Sequence, residues 1–336
     1  MNLKKIIRTT ACTALICACS QNDGHFWQNN EIEGALSVSV RYDDAMTKGA
    51  TDYITALEEE KAVKKVEVLV FDKQTGALNS FKSLNNIDED CNFTLPTGEK
   101  VIYAVLNGPD MGKITNLTMM DQLIDDLSIK NMGTDGLTLV GSTGCNVVKG
   151  VEAEPVIKVR WLVARVVLQK ITCNIPAQYG SMHIDCAYLG NANTKQYFSG
   201  SSSGMVNIDG YEGSNPSRPI GKDDIEGSCP EYLFRNIGTD ISAGSSNDRK
   251  FHMYCHPNST DKHTCLYLLT TIGDHQYYYR VPLDQGLIAN STCSVELKIT
   301  NLGSLTPPEG DYESNSITAR ISIEGWTAGN SYTAEF

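Results

Sequence analysis

Five side chains able to ligate a metal, His252, Cys255, His256, His263 and Cys265, fall within fourteen positions. Two histidines and two cysteines could form a tetrahedral zinc site. On an extended strand, however, Cys255 and His256 face opposite ways, as do His252 and Cys255. His263 and Cys265 share a face only if their strand begins early. The spacing reads better as a hairpin across Pro257-Asn258-Ser259-Thr260-Asp261-Lys262, with a possible Cys255–Cys265 disulfide and no metal. Asp125-Asp126 falls at the end of an expected surface helix, where a solvated face explains it. Tyr277-Tyr278-Tyr279 could present rings to a sugar, but strand alternation puts one set in a core. No Gly-rich phosphate loop, nucleophile elbow or zinc-protease helix occurs. No nucleophile, base and orienting group meet the geometry that catalysis requires. The sequence therefore points away from an enzyme and calls for no cofactor.

The elements around these residues begin with an export signal. Lys4, Lys5 and Arg8 precede a short apolar stretch (residues 9–18), which ends at Ala18-Cys19. This looks like a lipobox, with cleavage between Ala18 and Cys19 and diacylglycerol on Cys19. Loss of residues 1–18 takes the net charge from −12 to −15. No basic stripe compensates, which disfavours nucleic acid as a partner. Eight cysteines outside the signal and lipobox (Cys91, Cys145, Cys173, Cys186, Cys229, Cys255, Cys265 and Cys293) would meet an oxidising compartment. Disulfides and buried free thiols are both compatible with that count.

Residues 19–33 are polar and read as a tether. Strand patterns follow. In residues 35–42, Leu36, Val38 and Val40 share a face. In 65–72, Val66, Val68 and Val70 do. A turn at Asp72-Lys73-Gln74-Thr75-Gly76 predicts a hairpin with Ala77–Phe81. A second pair is expected between 92–95 and 101–106. Residues 118–127 read as a helix, with Thr118 and Asp121 at capping-box spacing. Residues 156–168 form the longest apolar run: Ile157, Val159 and Trp161 share a face, from Leu162 on both faces are apolar except at Arg165, and a strand here could pass from one core to another. Strands are expected again at 137–140, 182–189, 251–256, 264–271, 276–283, 293–300, 316–324 and 331–336. Residues 199–249 are Ser-, Gly- and Asn-rich and read as long loops. Many short strands between turn signals predict an all-β chain of sandwiches.

Taken in order, the quoted pieces resemble a family. KVEVLVFDKQTG (65–76) is followed by LPTGEKVIYAVLNGP (95–109), VRWLVARVVLQKI (159–171) and YLGNANTKQYF (188–198). The chain ends in VELKITNLGS (295–304) and ISIEGW (321–326). The set is similar to the fimbrillins of Bacteroidales, subunits of type V pili, on both the FimA and minor-fimbrium sides. The resemblance spans the whole chain and rests on order and spacing.

The resemblance implies two tandem transthyretin-like Greek-key β-sandwich domains, here 34–160 and 161–336, with one short helix in the first. It implies assembly by protease-triggered donor-strand exchange. The precursor is lipidated and carried to the outer membrane, and only the precursor is held to the membrane, by that lipid. A trypsin-like protease then cuts behind the first strand. That strand (Leu36, Val38, Val40 within 34–48) leaves, and the C-terminal segment of another subunit takes its place. Lys48, before Gly49, is the candidate cleavage residue, and Arg41 is the alternative. The family's usual arginine is a lysine here. The alternating tail 316–336 offers donors in Ile317, Ala319, Ile321, Ile323, Tyr332 and Phe336, unless these are simply the last strands of their own domain. The implied partners are copies of the chain, other fimbrial subunits, the processing protease, and a host receptor or glycan. An anchor or tip subunit and a surface glycan-binding lipoprotein are the alternatives.

Overall fold

A computed structural model describes residues 32–43, 56–200, 207–208, 221–258, 263–283, 287–305, 317–325 and 331–335. The first half holds β1 (Glu33–Tyr42), α1 (Glu58–Lys61), β2 (Val66–Asp72), β3 (Leu78–Leu84), β4 (Cys91–Pro96), β5 (Gly98–Leu106), α2 (Leu117–Asp121), β6 (Ile124–Asp126), β7 (Leu139–Val147) and β8 (Val156–Trp161). Seven of these strands follow one another in the order β3-β2-β5-β7-β8-β1-β4. β7 and β8 pair only through Leu139–Trp161 and Val140–Arg160. Strands on either side of that narrow join send side chains into one core, which includes Leu36, Val68, Phe93, Ile102, Val159 and Trp161. β2 is buried on both faces: Leu69 and Phe71 meet a second cluster with Val105, Met120 and Phe198.

The second half holds β9 (Ala164–Cys173), β10 (Met182–Gly190), β11 (Ala192–Asn193), β12 (Lys195–Tyr197), β13 (Asn207–Ile208), α3 (Lys222–Ser228), β14 (Phe234–Ile241), β15 (Ser246–Asn247), β16 (Phe251–Cys255), β17 (Cys265–Ile272), β18 (His275–Pro282), β19 (Ser291–Ile299), β20 (Ile317–Gly325) and β21 (Ser331–Glu335). One sheet runs β14-β10-β17-β18. Another runs β15-β9-β19-β20-β21, with β16 also on β9. Their inner faces enclose a core that includes Val166, Leu168, Ile184, Leu268, Val295 and Ile321. The apolar run 156–168 divides at Leu162-Val163, its first part becoming β8 and its second β9.

Several expectations are corrected. The helix at 118–127 stops at Asp121, and its cap is Asn116, whose Oδ1 accepts from Met119 N at 2.9 Å. The remainder becomes β6 because β12 arrives to pair with it. The strands at 92–95 and 101–106 do not pair with each other: β4 joins β1, and β5 lies between β2 and β7. Gly98, at φ 122, makes the corner that separates them. The Cys255–Cys265 hairpin is absent, because β16 pairs with β9 and β17 with β10 and β18. Neither cysteine is in a disulfide. The region 199–249 is not all loop, since it contains α3 and β14.

The expected β2–β3 hairpin forms. Asp72 Oδ1 accepts from the Gln74 and Thr75 amides and the Thr75 hydroxyl, and Oδ2 faces the buried Lys100 ammonium at 3.1 Å. The Thr75 amide first, then Lys100, holds the carboxyl at about 2 instead of 3.8. A depressed carboxylate contributes stability above its unfolded pKa and loses it as pH falls through the folded one. Asp72→Asn should therefore flatten the loss of stability between pH 4 and 2, about the window set by these two values, in urea titrations across pH. At neutral pH the variant should be less stable, because Lys100 loses its counter-charge.

Candidate strand-exchange site

β1 forms because apolar residues alternate along it. Leu36, Val38 and Val40 are 0%, 4% and 6% exposed, while the residues between them face away from the core. Its first half pairs antiparallel with β4, from Glu33–Pro96 to Val38–Cys91. Its second half pairs parallel with β8, from Ser39–Val156 to Tyr42–Val159. Ala153 extends the parallel side: Ser37 N donates to Ala153 O at 2.8 Å, and Ala153 N to Ala35 O at 3.0 Å. A Cβ on Gly34 would meet Val147 and the Val148 carbonyl at 2.7 and 2.8 Å, so the strand's start is tightly seated. Side-chain ties at its far end are Tyr42 OH to Lys61 O and Asp43 to Arg160.

Arg41 lies inside this pairing, opposite Lys158. Its backbone is thus withheld from a protease, which needs reachable chain. Ala18, Cys19, Lys48 and Gly49 lie outside the described residues.

The C-terminal strands belong to the sheet of the second half that carries β9 and β19. β20 pairs with β19 from Ser291–Gly325 to Ile299–Ile317, and β21 pairs with β20 as the last strand. Ile321 is 4% exposed, and Ile317, Ala319 and Ile323 pack partly against the same core. In the single chain this tail therefore completes its own sheet. Of Tyr332 only the backbone is described, within β21, and Phe336 lies outside the described residues.

No family model and no curated protein sequence matches the chain. Solved structures do match. A candidate cell adhesion protein from Bacteroides eggerthii superposes with TM-score 0.63 at 15% identity, over 88% of this chain and 96% of its own. A fimbrilin from Porphyromonas gingivalis superposes with TM-score 0.58 at 14% identity, over 88% and 98%. The chain has the fimbrillin fold. The C-terminally truncated tip fimbrial protein Mfa3 of Porphyromonas gingivalis shares that fimbrillin fold at TM-score 0.52 and 15% identity, over 88% and 100%.

Two buried polar clusters tie this fimbrillin fold together between its halves. In the first, Arg165 of β9 donates Nη1 to Glu60 Oε1 and Oε2 at 2.9 and 2.7 Å, and both side chains are within 1% of full burial. Tyr254 OH donates to the same carboxylate at 2.7 Å, Arg165 Nε reaches Thr292 Oγ1, and Trp161 Nε1 donates to the Glu60 carbonyl. Burial, then the adjacent Glu60 charge, pushes the Tyr254 phenol far above its ordinary range. In the second, fully buried Asp125 meets Lys130 at 2.6 Å, the Thr138 hydroxyl at 2.7 Å and His256 Nε2 at 3.3 Å. Burial alone would raise the Asp125 carboxyl, but His256 and the Lys130 charge outweigh it and hold it well below the carboxylate range. Asp125 is thus not the solvated residue its sequence neighbourhood suggested.

The five histidines and cysteines at 252–265 disperse. His256 turns to Asp125 and the Leu162 carbonyl, Cys255 enters the core beside β9, and Cys265 Sγ contacts the His263 carbonyl. His252 faces away from Cys255, and burial first, then Arg165, lowers its pKa to about 4. Tyr279 and Tyr278 enter separate clusters. Glu60 and Asn107 carried no sequence signal, and Asp125 and His256 stood out in the sequence but with no sign that they would meet each other. Arg165 carried one, a lone charge in an apolar run that burial obliges to find a partner.

Proposed function

We propose that the chain is a structural subunit of a cell-surface fimbrium that polymerises by protease-triggered donor-strand exchange and so contributes to adhesion. On this reading it is exported as an outer-membrane lipoprotein through Cys19, and its two halves are transthyretin-like sandwiches. A trypsin-like protease cuts after Lys48, β1 leaves, and the tail of a neighbouring subunit enters between β4 and β8. A shaft or a tip position is compatible with the fold.

The seat of β1 carries the reading. The strand fills a slot between two others, and its covalent link to the rest of the chain runs through the segment that contains Lys48. Burial of Leu36, Val38 and Val40 is worth roughly 5–9 kcal/mol at about 1.5–3 kcal/mol each. Ile317, Ile321 and Ile323 of an incoming tail would return a similar amount. Side-chain burial is then nearly balanced, and cleavage supplies the direction. An attached strand competes at high effective concentration, and a severed one dilutes away. The glycan-binding alternative needs exposed rings, whereas Tyr278 and Tyr279 are 1% and 0% exposed.

The test is to treat the chain lacking its signal with a trypsin-like protease, then read N-termini by mass spectrometry and assembly by electron microscopy. The expected result is a new N-terminus between residues 44 and 56, with fibres. A chain that keeps β1 and stays monomeric would sink the reading.

A further inference from the structure

We infer that Glu60 and Asn107 set the downstream limit of the chain that a trypsin-like protease can reach, withholding Lys61, Lys64 and Lys65. This rests on the proposed processing between residues 44 and 56. Three lysines stand within five positions just past that segment. Lys64 is exposed and Lys61 and Lys65 are half-buried, so side-chain access does not protect them. Their backbone does, because cleavage requires several residues to open into an extended form.

Glu60 anchors the segment from inside. Its carboxylate is gripped by Arg165 and Tyr254 and also accepts the Leu57 amide, while its carbonyl accepts from Trp161. Asn107 anchors it from the other side. Its Oδ1 accepts the Lys64 amide at 2.8 Å, its Nδ2 donates to Ala62 O at 2.9 Å, and its own amide donates to Lys65 O at 3.0 Å. The same Nδ2 reaches Leu137 O at 3.0 Å, which fixes the side chain to the start of β7's approach. Asn107 adopts φ 54, a left-handed conformation that asparagine tolerates better than most residues. Tyr42 OH also binds Lys61 O, but that bond leaves with β1. After processing, Glu60 and Asn107 remain to hold the new N-terminal segment in place.

Timed digestion of the chain lacking its signal by trypsin, with N-termini read by mass spectrometry, tests this. Wild type should give ends before Ala56 and resist cleavage after Lys61, Lys64 and Lys65. Asn107→Gly keeps the backbone conformation available while removing the side chain. It should raise the rate of appearance of ends at Ala62, Lys65 or Val66 at least about tenfold, on the scale of losing one or two local hydrogen bonds. The paired change Glu60→Gln with Arg165→Met breaks the ion-pair grip of the anchor without stranding a buried charge, and should act in the same direction. Unchanged ends in both variants would overturn the inference, as would wild type trimmed to Val66. Cuts spreading to Lys170 or Arg235 in both would assign the protection to global stability and overturn it too. A wild type uncut before Ala56 would instead remove the processing reading, while the variants would still report whether the lysines are withheld.

Discussion

Glu60→Gln will cost the fold about 3–5 kcal/mol, the range for removing one partner of a buried ion pair. The loss will appear in urea unfolding as a lower midpoint with an unchanged slope. Arg165 is fully buried, and its guanidinium spends two hydrogen bonds on that one carboxylate. Glutamine can still accept one of them, but it cannot cancel the charge. Restoring neutrality with Arg165→Met in the Glu60→Gln background should recover most of the loss, since an apolar side chain of similar length suits the same space. A single variant within about 1 kcal/mol of wild type would mean that the pair is better solvated than its burial indicates. Trp161, whose indole nitrogen binds the Glu60 carbonyl, provides a fluorescent report from the site itself.

Deleting residues 317–336 will abolish fibre growth. The shortened chain should still fold around both cores, although less stably. It gives up Ile321, worth roughly 1.5–3 kcal/mol when fully buried, and leaves an edge of β19 unpaired. It retains the seat of β1, so on the proposed mechanism it would, once processed, accept a tail without offering one. Added to processed full-length protein, it should act as a chain terminator and shorten fibres in proportion to its share, measured as length distributions by electron microscopy. Fibres of undiminished length would exclude the tail as donor. The structure adds a cost that the sequence did not reveal. On the proposed mechanism a donor would first have to surrender its place beside β19, which would make release of the tail a candidate slow step in assembly.

Strands are legible in the sequence where they are apolar on one face, as in β1 and β20, or on both, as in β2 and β17. β1, β10 and β20 alternate and were found nearly to their ends. Where the pattern failed, a distant partner decided the structure. Leu123, Ile124 and Leu127 have helical spacing, but Lys195–Tyr197 turns Ile124–Asp126 into a strand. β14 buries Phe234, Ile237 and Ile241 at intervals of three and four, because its pairing with β10 contains an irregularity, and so it shows no period of two. β4 and β5 are neighbours in sequence but belong to different pairings, which no local window can reveal. The polar residues followed the same rule. Arg165 was visible as an anomaly, whereas Asp125 and His256 become meaningful only when brought together across 131 positions.

The break at Leu162-Val163 has a mechanical consequence. β8 passes into β9 across two residues with no intervening loop, so pulling on the two ends of a subunit loads a nearly continuous backbone running between the two cores. The Glu60–Arg165 and Asp125–His256 contacts beside it resist separation of the halves under that load. A filament built from such units would stretch little before a subunit gave way, and its lifetime under load would follow the unfolding rate, not the equilibrium stability.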